Sequence, residues 1–288
     1  MSSNYKAIRI NNVEVHKVPQ YTSHIDNRPV KGGDLFSEIY ANIFLCAKKK
    51  SGKTSVIYKI LKECCGKKTR VVAFVSTLYK DDSWKSIRQY CRTKGIDFEG
   101  HTSLIEDGID KLEELIDELK DEAKEEFEEE QLEERISRIE LSLSKRCPIQ
   151  TDYDIDEEEN EEKKVKREKY KAPEIIIVLD DLSNQLKSKT LVCLLKNNRH
   201  FKSKIILSSQ YLNDLLPEAR KQLDYFLLFR GQPVKKLEEI HRDADVHIDF
   251  EEFCDIYKFA TEKPYSFLYI DTNNCEFRRN FNYVINIA

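Results

Sequence analysis

Glycine and proline are scarce in this chain, 8 and 7 residues among 288. That excludes low-complexity linkers built from either and favours a helix-rich chain. No apolar run approaches the roughly 20 residues of a membrane-spanning helix. The amino-terminal MSSNYKAIRI lacks the apolar core of a secretory signal, so the chain reads as soluble and intracellular. The eight cysteines, Cys46, Cys64, Cys65, Cys91, Cys147, Cys193, Cys254 and Cys275, include no C-x-x-C pair. Several fall on apolar faces of predicted elements, so free buried thiols are expected rather than a disulfide framework. Nor does one sign of charge dominate. With 48 basic against 52 acidic residues, the net charge of −4 says nothing by itself about nucleic acid.

What is abundant is charge itself, 35% of residues against about 25% in an ordinary globular domain. The 40% hydrophobic content still supports one substantial core. Asn42–Cys46 (NIFLC) reads as a buried strand, and Ser55–Leu61 has helical spacing of Val56, Ile57, Ile60 and Leu61. Arg70–Ser76 is a second buried strand, followed by an amphipathic helix carrying Trp84, Ile87 and Tyr90. Strands apolar on both faces, alternating with helices, predict a parallel sheet covered on both sides.

From about His101 to Lys171 that rhythm breaks. Ile105, Ile109, Leu112, Ile116 and Leu119 step by fours and threes, and Leu132, Ile136, Ile139 and Leu143 resume the seam. An acidic run, Asp152–Glu162, and a basic run, Lys163–Lys171, follow. The expectation is a charged, coiled-coil-like helical insert at residues 101–171 ending in a disordered acidic and basic tether. Residues 1–100 and 172–288 would then form one discontinuous domain. The sheet pattern returns with Glu174–Leu179, then a helix with Leu191, Leu194 and Leu195, then strands at Lys204–Ser209 and Tyr225–Phe229. Two helices follow, bearing Leu237 and Ile240, then Phe250, Phe253 and Ile256. Tyr265–Ile270 and Phe281–Ile287 read as a closing edge hairpin. No internal repeat is visible.

Ala47-Lys48-Lys49-Lys50-Ser51-Gly52-Lys53-Thr54, with Ser55 after it, has P-loop spacing, Ala47 standing where a glycine is usual. Gly52 lets the loop wrap phosphates, Lys53 reaches the terminal phosphates, and the Thr54 hydroxyl ligates magnesium at a helix start. A strand before and a helix after are the context this chemistry needs. The bland alternative is a solvated basic turn. At the end of the Ile175–Leu179 strand, Asp180 is placed to complete the Mg²⁺ site. Asp181 is placed to polarise an attacking water, unless it merely caps the next helix. Gln210, ending a third strand, can contact the γ-phosphate or the water.

Together these elements resemble the FtsK/HerA superfamily of DNA-pumping ATPases, and within it the packaging ATPases of poxviruses, other large DNA viruses and virophages. The likeness is carried by Ala47–Thr54, by IIIVLDDLS, by NNRHFKSKIILSSQ, by LLPEARKQLDYFLLFRG and by the closing EKPYSFLYID. It implies a RecA-like P-loop α/β domain that binds ATP with Mg²⁺ and works as a homo-oligomeric ring. Its implied partners are double-stranded DNA and capsid or membrane-associated packaging components, in the host cytoplasm at a viral factory or in the virion. By the same resemblance Arg199, just before the strand that leads to Gln210, is a candidate arginine finger reaching a neighbouring subunit's nucleotide and is expected near the same sheet edge as the nucleotide; Arg220 is a second candidate. Two rival readings stand beside it. A small-molecule kinase would need an acceptor and an arginine-rich lid, and a nucleotide-binding scaffold would turn over slowly without response to DNA.

Overall fold

The computed structural model describes residues 28–146 and 169–286. Cys147, the acidic run Asp152–Glu162 and most of the basic run Lys163–Lys171 lie outside them, as does the Leu143 side chain. In chain order, the described elements begin with β1 (Asn42–Cys46), α1 (Lys53–Cys64), β2 (Arg70–Val75), α2 (Asp82–Lys94) and β3 (Asp97–His101). Next come β4 (Ile105–Glu106), β5 (Ile109–Asp110), α3 (Lys111–Arg146), β6 (Ile175–Asp180), α4 (Lys189–Lys196) and β7 (Ser203–Ser209). The last are α5 (Pro217–Arg220), β8 (Tyr225–Phe229), α6 (Val234–Asp243), α7 (Phe250–Ala260), β9 (Phe267–Asp271), β10 (Glu276–Arg279) and β11 (Tyr283–Val284).

Nine of these strands form one sheet in the order β11-β10-β9-β8-β1-β7-β6-β2-β3. From β8 to β3 every neighbouring pair is parallel, whereas β9, β10 and β11 add an antiparallel edge. The expected mostly parallel α/β sheet is therefore present. β1, β6, β7 and β8 are buried at every position, because alternate residues enter cores on opposite faces. Ile43 and Leu45 pack with Ile57, Ile60 and Leu61 of α1 and with Trp84 and Ile87 of α2. Phe44 and Cys46 face the other layer, with Leu191 and Leu194 of α4, Leu237 of α6 and Phe253 of α7. Each such fully buried aliphatic side chain contributes about 1.5–3 kcal/mol relative to exposure.

This layering positions the site. After β1 the chain passes to the α1 face, and after β7 to the face of α5 and α6. Adjacent parallel strands whose connections leave on opposite faces open a crevice at their carboxyl ends.

Two elements differ from expectation. Ile105 and Ile109 are not on a helical seam; they sit 59% and 45% exposed in the β4–β5 hairpin. The reason is the Asp107-Gly108 turn, where both residues adopt positive φ, 52° and 80°, the geometry of a two-residue hairpin loop. The closing hairpin is β9 with Glu276–Arg279, while the described part of the expected Phe281–Ile287 strand supplies the two-residue β11. Arg278 and Arg279 pair with Glu276 and Glu262 there, so an edge strand forms from a segment too polar to read as one. Helix α3 has two parts. Asp110 Oδ1 accepts from the Leu112 and Glu113 amides at 3.0 and 3.1 Å to start it. Leu112, Leu115, Ile116 and Leu119 then join the main core, whereas Phe127, Leu132 and Ile136 are exposed.

Candidate active site

β1 ends at Cys46, and the Ala47 amide still donates to Ser209 O at 3.1 Å. The loop then turns through Lys50 at φ 61° and Gly52 at φ 91° before α1 begins. Gly52 is required here. The left-handed backbone disfavours a side chain, although a Cβ would meet the Tyr265 ring at an ordinary contact distance of 3.4 Å. No side chain caps α1, which leaves its first N–H groups directed at the crevice, as an anion site needs. Ala47 is buried and packs with the α1-side core. Lys48, Lys49 and Lys50 are exposed, and Ser51 Oγ is buried without a hydrogen-bond partner.

Lys53 joins the loop to the carboxylates. Its Nζ lies 2.8 Å from Asp180 Oδ1 and 2.6 Å from Asp181 Oδ1. The parallel register sets this up, since Asp180 pairs with Ser208 of β7 and Ser208 with Leu45 of β1. Asp180 is 2% exposed. Its Oδ2 accepts from the indole N–H of fully buried Trp84 at 3.3 Å, while Oδ1 is met by the Lys53 ammonium alone. Asp181 is at φ 56°, about a third exposed, and its side chain caps no helix: the following turn, Ser183–Leu186, has no side-chain cap. The capping alternative is therefore removed. Its carboxylate points at Lys53 instead.

A cavity of about 820 Å³ lies over these groups, lined by Lys49, Lys50, Gly52, Lys53, Thr54, Ser55, Thr77, Asp181, Gln210 and Tyr265, among others. That volume suits a small-molecule ligand with several polar anchors. Gln210 reaches it from the end of β7, its own carbonyl held by Lys236 Nζ at 2.8 Å. Lys236 also stands 3.6 Å over the Tyr211 ring. Gln232 is 7% exposed and donates to Cys46 O at 3.0 Å, bracing the base of the loop. Burial pushes the Cys46 thiol up to about 12, so it is inert beside the loop. Among the described residues no cluster of three or more His, Cys, Asp or Glu could hold a metal alone. The oxygens of Thr54 and Asp180, the latter held only by Trp84 and the exchangeable Lys53 ammonium, fit a hard cation that shares its coordination with ligand phosphates.

The structure thus gathers the whole loop, Asp180, Asp181 and Gln210. It does not bring the two arginines to the cavity. Arg199 lies in the turn before β7, and its charge acts on Asp224 at the start of β8. It was expected near the nucleotide edge. A seven-residue parallel strand, Ser203–Ser209, instead carries the chain roughly 20 Å toward the crevice after it. Arg220 is tied down, with Nε donating to Leu215 O at 3.0 Å and Nη1 3.3 Å from Asp243, its side chain 12% exposed. Trp84, Gln232, Lys236 and Tyr265 went unassigned in the sequence. Gln232 had a usable signal, following Gly231 at the end of an apolar strand.

Comparison with known proteins bears on the same elements. Residues 148–279 match the family model described as Poxvirus A32 protein. That segment holds Asp180, Asp181, Arg199, Gln210 and Arg220, and over it the resemblance read from the motifs is borne out. Uncharacterized protein 075L of Invertebrate iridescent virus 6 is 34% identical over 134 residues, which is 43% of this chain and 51% of that protein. The match thus spans about half the length of that relative. Among solved structures, the genome packaging NTPase B204 from Sulfolobus turreted icosahedral virus 2 in complex with AMP superposes with a TM-score of 0.51 at 17% identity, covering 87% of this chain and 100% of that one. At that identity the likeness establishes the fold, the α/β P-loop class with a mostly parallel sheet. No described helix is long and apolar enough to cross a membrane.

Proposed function

We propose that this chain is an ATP-hydrolysing motor that translocates double-stranded DNA during viral genome packaging. The observation that carries the reading is Lys53, on an uncapped helix start, held between Asp180 and Asp181 at the crevice of a parallel sheet. The family match over residues 148–279 supports the assignment to packaging.

In this reading the loop amides and Lys48–Lys50 attract the triphosphate, and Lys53 leaves the carboxylates for the terminal phosphates. Thr54 and Asp180 would hold Mg²⁺, whose charge would offset that developing on the transferred phosphoryl group. Once Lys53 is drawn away, the Asp181 carboxylate is free to orient and polarise water, and Gln210 reads the state of the γ-phosphate from the neighbouring strand. Arg199, on the opposite end of β7 from the cavity, acts only on a neighbouring subunit's nucleotide, so activity requires a ring. Arg220 is the weaker candidate because Asp243 and Leu215 already hold it. Residues 1–100 and 172–288 form the P-loop unit and 101–171 the insert, whose exposed charged part lies beyond the Glu126–Lys202 ion pair. Capsid or membrane-associated components are the further partners, in the host cytoplasm at a viral factory or in the virion.

The test is phosphate release measured over a range of protein concentrations, with and without duplex DNA. Specific activity is expected to rise with concentration and with DNA. Arg199→Ala and Lys53→Ala proteins, each inactive alone, are expected to recover partial activity when co-assembled. Concentration-independent turnover by a monomer, indifferent to DNA, would remove the motor reading.

A further inference from the structure

The wall of the cavity facing away from the aspartates carries an aromatic ring that the reaction above does not use. Tyr265 stands in the turn between α7 and β9, at φ 63° and 72% exposed. A non-glycine residue holds a left-handed backbone only at a cost, and such residues gather where geometry serves a ligand. Its ring runs along the phosphate loop: Cδ1 would lie 3.4 Å from a Cβ on Gly52. The ring also lines the same cavity as Lys53, Thr54 and Asp181. An exposed aromatic face laid against a phosphate loop is a surface in want of a flat partner.

The sheet order says which end of a ligand meets it. Asp180 and Asp181 close β6, two strands from β1 on one side, and Tyr265 precedes β9, two strands from β1 on the other. A nucleoside triphosphate whose terminal phosphate lies at Lys53 and Asp181 extends back across the loop. Its nucleoside end therefore leaves on the β8 and β9 side. We infer that Tyr265 is the platform on which the nucleobase stacks, a base subsite separate from the phosphate site. The inference rests on the nucleotide reading of the cavity. Stacking engages the face of the base and no hydrogen-bonding edge, so the platform contributes affinity for nucleotides over bare polyphosphate.

Calorimetric binding to the full chain tests this with two probes in the presence of Mg²⁺: ATPγS, and inorganic tripolyphosphate, which has no base. Tyr265→Gly is the chosen variant because glycine accepts the local φ without strain. It should weaken ATPγS binding about 10- to 100-fold and leave tripolyphosphate binding unchanged within about 3-fold. Tyr265→Phe keeps the ring and should bind both probes as the wild type does. As an independent readout, the fluorescence of etheno-ATP should be quenched on binding the wild type and Tyr265→Phe, but not Tyr265→Gly. Equal losses for both probes, or undiminished ATPγS binding by Tyr265→Gly, would overturn the base platform. Failure of the nucleotide reading itself looks different: the wild type would bind neither probe, or Lys53→Ala would bind tripolyphosphate as tightly as the wild type.

Discussion

At the amino ends of the parallel strands, buried polar groups are nearly all paired within the chain. Asn42 Nδ2 donates to Leu195 O and Gln222 O at 3.0 and 2.7 Å, Thr69 Oγ1 to Pro173 O at 2.7 Å, and Lys204 Nζ to Glu38 O at 2.8 Å. At the carboxyl ends the pattern reverses. Ser51 Oγ, Ser208 Oγ and Gln232 Oε1 are buried without a hydrogen bond, and Lys50, Asp181 and Tyr265 hold positive φ. Among the described residues the other end also has an unmatched Asn42 Oδ1 and a left-handed Lys202, but fewer such features than the carboxyl end. Unpaired buried polar atoms and left-handed side chains both cost stability. Their concentration around one crevice indicates which end of the sheet is built for a ligand and which for cohesion.

Substitutions at the two ends should therefore fail in different ways. The largest effect belongs to the carboxyl end. Lys53→Ala and Asp180→Asn should each lower phosphate release by about 10³-fold or more, by removing charge matched to the phosphates and the metal. Near wild-type turnover at saturating ATP in either variant would break the comparison outright. Asp181→Asn should bind ATP within a few-fold of wild type and lose roughly 10²- to 10⁴-fold in turnover. An equal loss of binding and turnover would assign Asp181 to the metal or to structure.

The amino end should respond in stability alone. Asn42→Ala leaves the Leu195 and Gln222 carbonyls unpaired in the core and should cost about 1–3 kcal/mol by denaturant unfolding. Ser208→Ala removes a hydroxyl that nothing bonds, so its unliganded stability should be equal or higher. A smaller effect concerns pH. Burial depresses the Lys204 ammonium below its ordinary value, so between its folded and unfolded pKa values the unfolded chain binds more protons. Raising pH through that window favours folding. Stability of the wild type relative to Lys204→Met should therefore climb as pH rises toward 10, by at most about 1.4 kcal/mol per pH unit. A flat difference would show that Lys204 is equally basic in both states.

Much of this contrast was legible before the structure. NIFLC and YFLLF give β1 and β8 their observed bounds, because strands buried on both faces admit few polar residues. The strand–loop–helix and IIIVLDD contexts placed Lys53, Asp180 and Asp181 without a coordinate. Three things were hidden. The apolar steps at Ile105 and Ile109 mimic a helical seam, and only the Asp107-Gly108 turn chemistry reveals the hairpin. Arg199 looked close to the crevice because sequence distance from a strand does not say which end of it a residue occupies. Tyr265 and Trp84 were invisible as site residues because their roles come from a backbone angle and a cross-sheet contact, neither of which leaves a local pattern.

Hydrogen–deuterium exchange with and without ATPγS and Mg²⁺ compares both ends of the sheet in one experiment. Ligand should slow exchange in 47–55, 181–183 and the segments holding Gln210 and Tyr265, where amides and unpaired groups await partners. The amino-end turns at 66–70, 198–203 and 222–224 should exchange at the same rate in both states. Protection centred on those amino-end turns, or no protection of 47–55 at saturating ligand, would contradict the account.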